Sequence, residues 1–436
     1  MPTLLARLLD LSRSRIARDS GVVAASQFGA AIAGFLTTLV GARMLGPIDY
    51  GVAVLIVTFP ELILSMATVR SATITTKYLS TFIATREPAK GAAVCKLGYG
   101  IDFLAALLAS CVVLLAILLF ASASVPKQLE WLVAVYALSF LISSLGGTNG
   151  AILQSCGEFR WLGAVQLTNR ILVLGVSFLV LHAGWGVTGF VLAAATGPVA
   201  SGVFGGVVAY ALLRKRGFPF WFTMSLDPVW GLLKELRSVL GWNYLAATWT
   251  GLLAQGPVLM LGWMRGPVEA GYYQLSATIA NVASYPESAM AQVTYPVLST
   301  RFATGNLEGL RQTIRRWTIK GGLTAGGFVL AGLLLAPVVI PVIYGREYFA
   351  VAWITQLLLV GTAVSATFFW LNGFFYAAGR IRLWTLAFGV YVVAVLAFGF
   401  PAISIGAALG MAVVAGIGKA GYSAVMARRV QRQLKE

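Results

Sequence analysis

One histidine and three cysteines are all that this chain of 436 residues holds of the side chains that most often bind metals or run redox chemistry. His182 alone cannot build a histidine-based metal centre, and Cys95, Cys111 and Cys156 show neither paired spacing nor a CxxC. Cys111 lies within an apolar run and the other two fall on the side read below as cytoplasmic, so no disulfide is expected. A GxxxxGK[ST] phosphate loop is missing, and with it that route to nucleotide hydrolysis. So is the sizeable extramembrane loop with paired acid and base that a membrane polymerase or glycosyltransferase would need. Charge is scarce as well: 11% of residues are charged, against about 25% in an ordinary soluble domain.

Apolar residues fill that space. They make up 58% of the chain, in recurring runs long enough to cross a hydrocarbon layer of about 30 Å. The runs are continuous, without the alternation of a membrane barrel, so the fold class is an all-α polytopic membrane protein. Twelve spans are expected. The first six fall at about 20–42, 50–76, 97–120, 131–153, 163–182 and 186–213. The second six fall at about 238–262, 270–298, 318–343, 351–376, 383–400 and 403–426. The first is too long for a cleaved signal. Residues 4–18, LLARLLDLSRSRIAR, place apolar and basic positions at helical spacing and read as an interfacial helix.

The net charge of +17 would suit nucleic acid, but its distribution excludes that partner. With Lys320, at the very edge of the ninth span, counted with the loop before it, 25 of the 32 Lys and Arg lie in alternate connections and the termini, and four lie on the other side. Arg70, Arg170 and Lys419 fall inside spans. The bias orients both termini to the cytoplasm and suits anionic lipid headgroups.

A repeat underlies the count. MLGPIDYG at 44–51 and MRGPVEAG at 264–271 share four of eight positions, each between the first and second span of a set of six. Gly157-Glu-Phe-Arg160-Trp161 and Gly379-Arg-Ile-Arg382-Leu-Trp384 echo one another between the fourth and fifth. An even number of spans per half makes this a parallel repeat. Gly-Pro forces a tight reversal, and the Asp or Glu that follows suits the start of the next helix. These turns argue for architecture and locate no substrate. The expected organisation is an amphipathic segment 1–19, a first lobe 20–213, a linker 214–237, a second lobe 238–426 and a basic tail 427–436. Gly202-xxx-Gly206 and Gly406-xxx-Gly410 read as close-packing faces.

Polar groups inside spans are the candidates for function, because a charge at a helix centre costs about 2.5–3.5 kcal/mol on insertion scales. Arg170 lies near mid-depth, where it can hold a phosphate by bidentate hydrogen bonds or pair internally, for instance with Asp102. Arg70 and Lys77 are seven apart and share a helical face, from which they can meet a cavity or snorkel to the cytoplasmic headgroups, the latter suiting Lys77 better. Thr68, Ser71, Thr73, Thr75, Thr76 and Ser80 around them read as a polar stripe on an aqueous cavity. Glu61 and Glu287 each follow a proline that frees a backbone carbonyl. With Asp102 they form the set able to exchange H⁺ or Na⁺, although the two glutamates suit Arg70 or Arg170 equally as salt-bridge partners, and Asp102, one turn inside its span, suits a nearby lysine. Gln27, Asn243, Gln255 and Asn281 can line the same cavity or simply bond between helices.

ARMLGPIDYGVAVL (42–55) resembles the R-x-LGP-x-[DE]-[YF]-G turn of polysaccharide and O-antigen flippases. These belong to the multidrug/oligosaccharidyl-lipid/polysaccharide exporter superfamily. GWGVTGFVLA (184–193), AGYYQLSATIANVASYPESAMAQVTYPVLS (270–299) and APVVIPVIYGREYFAVAWITQLLLVGT (336–362) are similar to the family in order and position. The resemblance covers most of the chain. It implies two six-helix lobes around a V-shaped cavity whose basic residues meet a lipid-linked diphosphate; Arg70 and Arg170 are the positions here able to do so. It implies no enzyme and no cofactor, a bacterial inner-membrane location, and undecaprenyl-diphosphate-linked oligosaccharide as substrate. Membrane lipid and polysaccharide polymerase or assembly proteins are the implied partners. A drug/cation antiporter of the same superfamily and a non-transporting scaffold are the alternatives.

Overall fold

The structure, a computed structural model, describes residues 15–69, 71–119, 126–282, 294, 297–302 and 307–433. Arg70, Glu287 and most of the amphipathic segment therefore lie outside the described residues. Among those described, thirteen α-helices follow in chain order: α1 Arg15–Ala67, α2 Ser71–Ala84, α3 Pro88–Leu119, α4 Glu130–Ser143, α5 Leu145–Ser155, α6 Phe159–His182 and α7 Gly186–Lys215. They continue as α8 Asp227–Arg265, α9 Pro267–Val282, α10 Leu307–Tyr344, α11 Phe349–Thr367, α12 Leu371–Ala377 and α13 Ile381–Gln433. No strand occurs among the described residues.

Nine helical stretches among the described residues are long and apolar enough to cross a membrane. Two of them, Gly21–Ala67 and Ile381–Arg432, would run roughly 70 and 78 Å at about 1.5 Å per residue, twice the hydrocarbon thickness. Each is broken near its middle: α1 at Gly46 (φ 74°) before Pro47, and α13 at Gly406 and Ala407 (φ 47°). Each supplies two spans, and α9 opens the eighth. The all-α polytopic, twelve-span architecture read from the sequence is the one the chain adopts.

The echoed stretches adopt matching backbones. Gly46 and Gly266, both before proline, sit at φ 74° and 92°, a region that only glycine enters freely. Gly157 and Gly379 end α5 and α12 at φ 71° and 67°. The residue after each closes the same 6→1 bond, Glu158 N–H to Leu153 O (2.9 Å) and Arg380 N–H to Phe375 O (2.9 Å), which satisfies the orphan carbonyls of a helix end. A third correspondence was not legible beforehand. The fourth span breaks at Ser144 between α4 and α5, and the tenth breaks at Phe368–Trp370 between α11 and α12.

Contacts group the chain into two units that do not follow chain order. One comprises residues 1–40, 63–121 and 128–247; the other comprises 41–62, 122–127 and 248–436. In the first, α6 packs on α7, α7 on α4 and α5, and α3 on α2 and α4. Backbones approach closely where glycine removes the side chain: a Cβ on Gly202 would lie 2.5 Å from the Ile142 carbonyl. In the second, α11 packs on α9, α10 and α13. An aromatic core of Trp370, Phe374, Phe375 and Phe369 fills the space under the tenth-span break. Gly410 does pack tightly, against Ala402. Gly406 does not: it belongs to the reversal in α13 and has open space where a side chain would go.

Candidate transport site

In the second unit the two echoed turns lock onto each other. A Cβ on Gly271 would fall 3.0 Å from Gly51 Cα, and one on Gly51 would overlap the Pro267 carbonyl. The last glycines of the two octapeptides are thus in backbone contact, with buried Tyr50 beside them. Tyr348 donates to the Ala42 carbonyl (2.6 Å), and Arg43 donates to that of Ile343 (2.9 Å). As expected, the acidic residue of the second turn, Glu269, lies in the first turn of its own helix, α9. Its carboxylate also accepts from the Ala408 N–H (2.9 Å) at the start of the last span, and Arg265 donates to the Ile403 (3.1 Å) and Ser404 carbonyls at the end of the span before. Carboxylate on free N–H groups and guanidinium on free carbonyls is the pairing that helix ends favour.

One candidate pair meets in this unit. Gln255 Nε2 donates to Glu61 Oε2 at 2.8 Å. Glu61 is half-buried and directly follows Pro60 within α1, so a carboxylate and an amide share one polar point inside the helices. Asn281 is exposed at the end of α9.

In the first unit α1 runs along α6, with Ser26 against Gly163, Leu167 against Gly29, and an Arg170 nitrogen 4.0 Å from where a Cβ on Gly34 would be. Arg170 stands halfway along α6 and is exposed. No described residue forms an ion pair or hydrogen bond with it. Gln27 is exposed on α1, next to the buried Ser26 that meets α6, and Asn243 is half-buried on α8. Lys77 is exposed, its Nζ 5.1 Å from the centre of the Tyr78 ring.

Asp102 differs from expectation. It takes neither Arg170 nor a lysine as partner. Its Oδ1 accepts from Ser71 Oγ, and its Oδ2 accepts from the backbone N–H (3.0 Å) and hydroxyl (2.7 Å) of Thr148. The carboxylate points inward, to where two broken spans restart as α2 and α5, and free helix-start donors satisfy it there. Lys96, on the same helix, reaches the Met224 carbonyl instead (2.8 Å). The Thr/Ser stripe of α2 is correspondingly divided: Ser71 and Thr75 are buried, while Thr73, Lys77 and Ser80 are exposed. Beyond Asp102, Tyr99 donates to Asn149 Oδ1 (2.5 Å), and Asn149 Nδ2 donates to the Gly202 carbonyl (2.8 Å). Thr148, Asn149 and Tyr99 escaped sequence reasoning. Their one signal was a Gly-Gly-Thr-Asn run interrupting an apolar span.

Comparison with known proteins decides the family. The sequence matches the polysaccharide biosynthesis protein family over residues 16–302. The chain belongs to this family. Among its relatives is an inner membrane protein of Escherichia coli (strain K12), YghQ, 24% identical over 76% of this chain and 93% of its own length. A candidate O-antigen transporter of the same organism is 22% identical over 45% of each chain, so the match spans less than half of that relative. Solved structures share the fold. An inward-facing multidrug resistance MATE transporter of the MOP superfamily superposes with a TM-score of 0.73 at 16% identity, covering 95% of this chain and 94% of that one. The lipid II flippase MurJ does so with a TM-score of 0.69 at 13% identity, covering 93% and 86%. The fold is that of membrane transporters, as the resemblance implied.

Proposed function

We propose that this chain is a flippase that carries an undecaprenyl-diphosphate-linked oligosaccharide from the cytoplasmic to the periplasmic leaflet for polysaccharide biosynthesis. It sits in the bacterial inner membrane with both termini cytoplasmic. Arg170 carries the reading: a guanidinium halfway along a membrane-spanning helix, exposed and without an anionic partner among the described residues. A cation facing lipid there would cost several kcal/mol, whereas one facing a water-filled path is satisfied by a diphosphate through two parallel charge-assisted bonds. Arg70 and Lys77 would extend the cationic path, and Gln27, Asn243 and Asn281 would offer neutral partners to passing sugar hydroxyls. The lobes 20–213 and 238–426, joined by 214–237, would alternate access, driven by an H⁺ or Na⁺ gradient through buried carboxylates.

Binding tests the site. Titrated with undecaprenyl-diphosphate-linked saccharide in detergent, Arg170→Ala raises Kd by roughly 10- to 100-fold, the loss of one hydrogen-bonded charge contact. Arg170→Lys recovers part of it. Equal affinity in all three proteins discards Arg170 as the diphosphate contact. Tighter binding of organic cations than of the diphosphate lipid moves the protein to drug export.

A further inference from the structure

Asp102 is 7% exposed and has a setting that a purely structural carboxylate does not need. It faces the beginnings of two half-helices, each the restart of a span broken just before it: α2 at Ser71 and α5 at Leu145. Transport proteins place sites at such interruptions, because the free backbone groups there can respond to charge. Both carboxylate oxygens are occupied, Oδ2 by two donors of Thr148 and Oδ1 by Ser71. The surroundings are closed: a Cβ on Gly147 would fall 3.0 Å from Oδ2, and one on Gly98 would fall 2.5 Å from Thr75 Oγ1 and 2.8 Å from Thr148 Oγ1.

The ionisable groups of the elements packed on α3 do not neutralise it. Tyr99, one turn back, is engaged with Asn149, and Lys96 with Met224. Lys77 and Tyr78 on α2 and Glu130 and Tyr136 on α4 are not bonded to it, while α5 and the turn Trp221–Thr223 contribute no ionisable side chain. A metal cation does not suit the place. The Thr148 N–H cannot turn away, and it points its positive end at the position an ion would take.

We propose that Asp102 is the proton-exchanging group of the first half, and that its protonation unpins α2 from α5. The proton, taken from water, adds to Oδ1, because Oδ2 already faces two donors. The new O–H then points at Ser71 Oγ, whose own hydrogen must leave that bond. A bond that fixed the first residue of α2 is reversed, while Thr148 keeps its hold on Oδ2. Ser71 directly follows Arg70 in sequence, so the exchange acts at the start of the segment that the proposed function assigns to diphosphate. The coupling rests on that reading; the proton site does not.

Two measurements test this. In a pH titration of the purified full-length protein followed by infrared difference spectroscopy, the wild type shows a carboxylic-acid C=O band that grows as pH falls, and Asp102→Asn lacks it. If Asp102→Asn does not fold, ¹³C labelling of aspartate together with Ser71→Ala replaces it: the band shifts with the label, and its midpoint rises because the ionised form has lost a donor. A band that does not titrate, or that survives in Asp102→Asn, overturns the proposal. In proteoliposomes with a fluorescent diphosphate-linked saccharide, a pH gradient stimulates flipping by the wild type. Asp102→Asn loses the stimulation. Unchanged stimulation in Asp102→Asn, or stimulation by Na⁺ alone, overturns the proposal and leaves the flippase standing. A titrating band without any wild-type flipping overturns the flippase and leaves the proton site standing.

Discussion

At the scale of single residues, the polar groups that matter were visible as types but not as partners. Asp102 stood out because an acid inside an apolar run must be satisfied. Its partners could not be read, because Ser71 and Thr148 lie 31 and 46 residues away in sequence and hydroxyl residues are common in spans. Thr148→Val removes the hydroxyl and keeps the N–H, leaving Oδ2 with one donor. It lowers stability by about 1–3 kcal/mol, read as an earlier thermal midpoint in detergent. Ala407 gives a prediction of the opposite sign. Its φ of 47° and ψ of −132° force a Cβ into a region that glycine occupies without strain, so Ala407→Gly stabilises by about 1–2 kcal/mol, read in the same assay.

At the scale of elements, the turns were the most legible part. Gly-Pro and Gly-x-x-Arg, each written twice, gave paired reversals whose φ values and end-bonds match. Reversals are local, fixed by the conformational freedom of one glycine and the rigidity of one proline. The breaks at Ser144 and at Phe368–Trp370 were not legible, since neither contains a proline. The contact between the two Gly-Pro turns was equally hidden, because a sequence echo does not say that its copies touch. Gly51 and Gly271 leave no room there. Gly51→Val forces the turns apart, lowering the thermal midpoint and raising cysteine accessibility at Leu55→Cys beside it. Gly21→Val, where no described residue lies within 4 Å of the added Cβ, changes neither.

At the scale of the whole molecule, composition decided membrane from soluble and the repeat decided six plus six. The family followed from motifs that are turn and packing signatures, which is why they fix the fold more firmly than the cargo. Cargo depends on a few cations whose positions a helical pattern allows but does not require. The most direct test is flipping of a fluorescent diphosphate-linked saccharide in proteoliposomes, comparing wild type, Arg170→Ala and Arg170→Lys. A flippase with Arg170 on the diphosphate transports as the wild type, loses transport in a folded Arg170→Ala protein, and partly recovers it in Arg170→Lys. A wild type that leaves the lipid in its original leaflet, or an Arg170→Ala protein that flips it at the wild-type rate, would contradict that assignment.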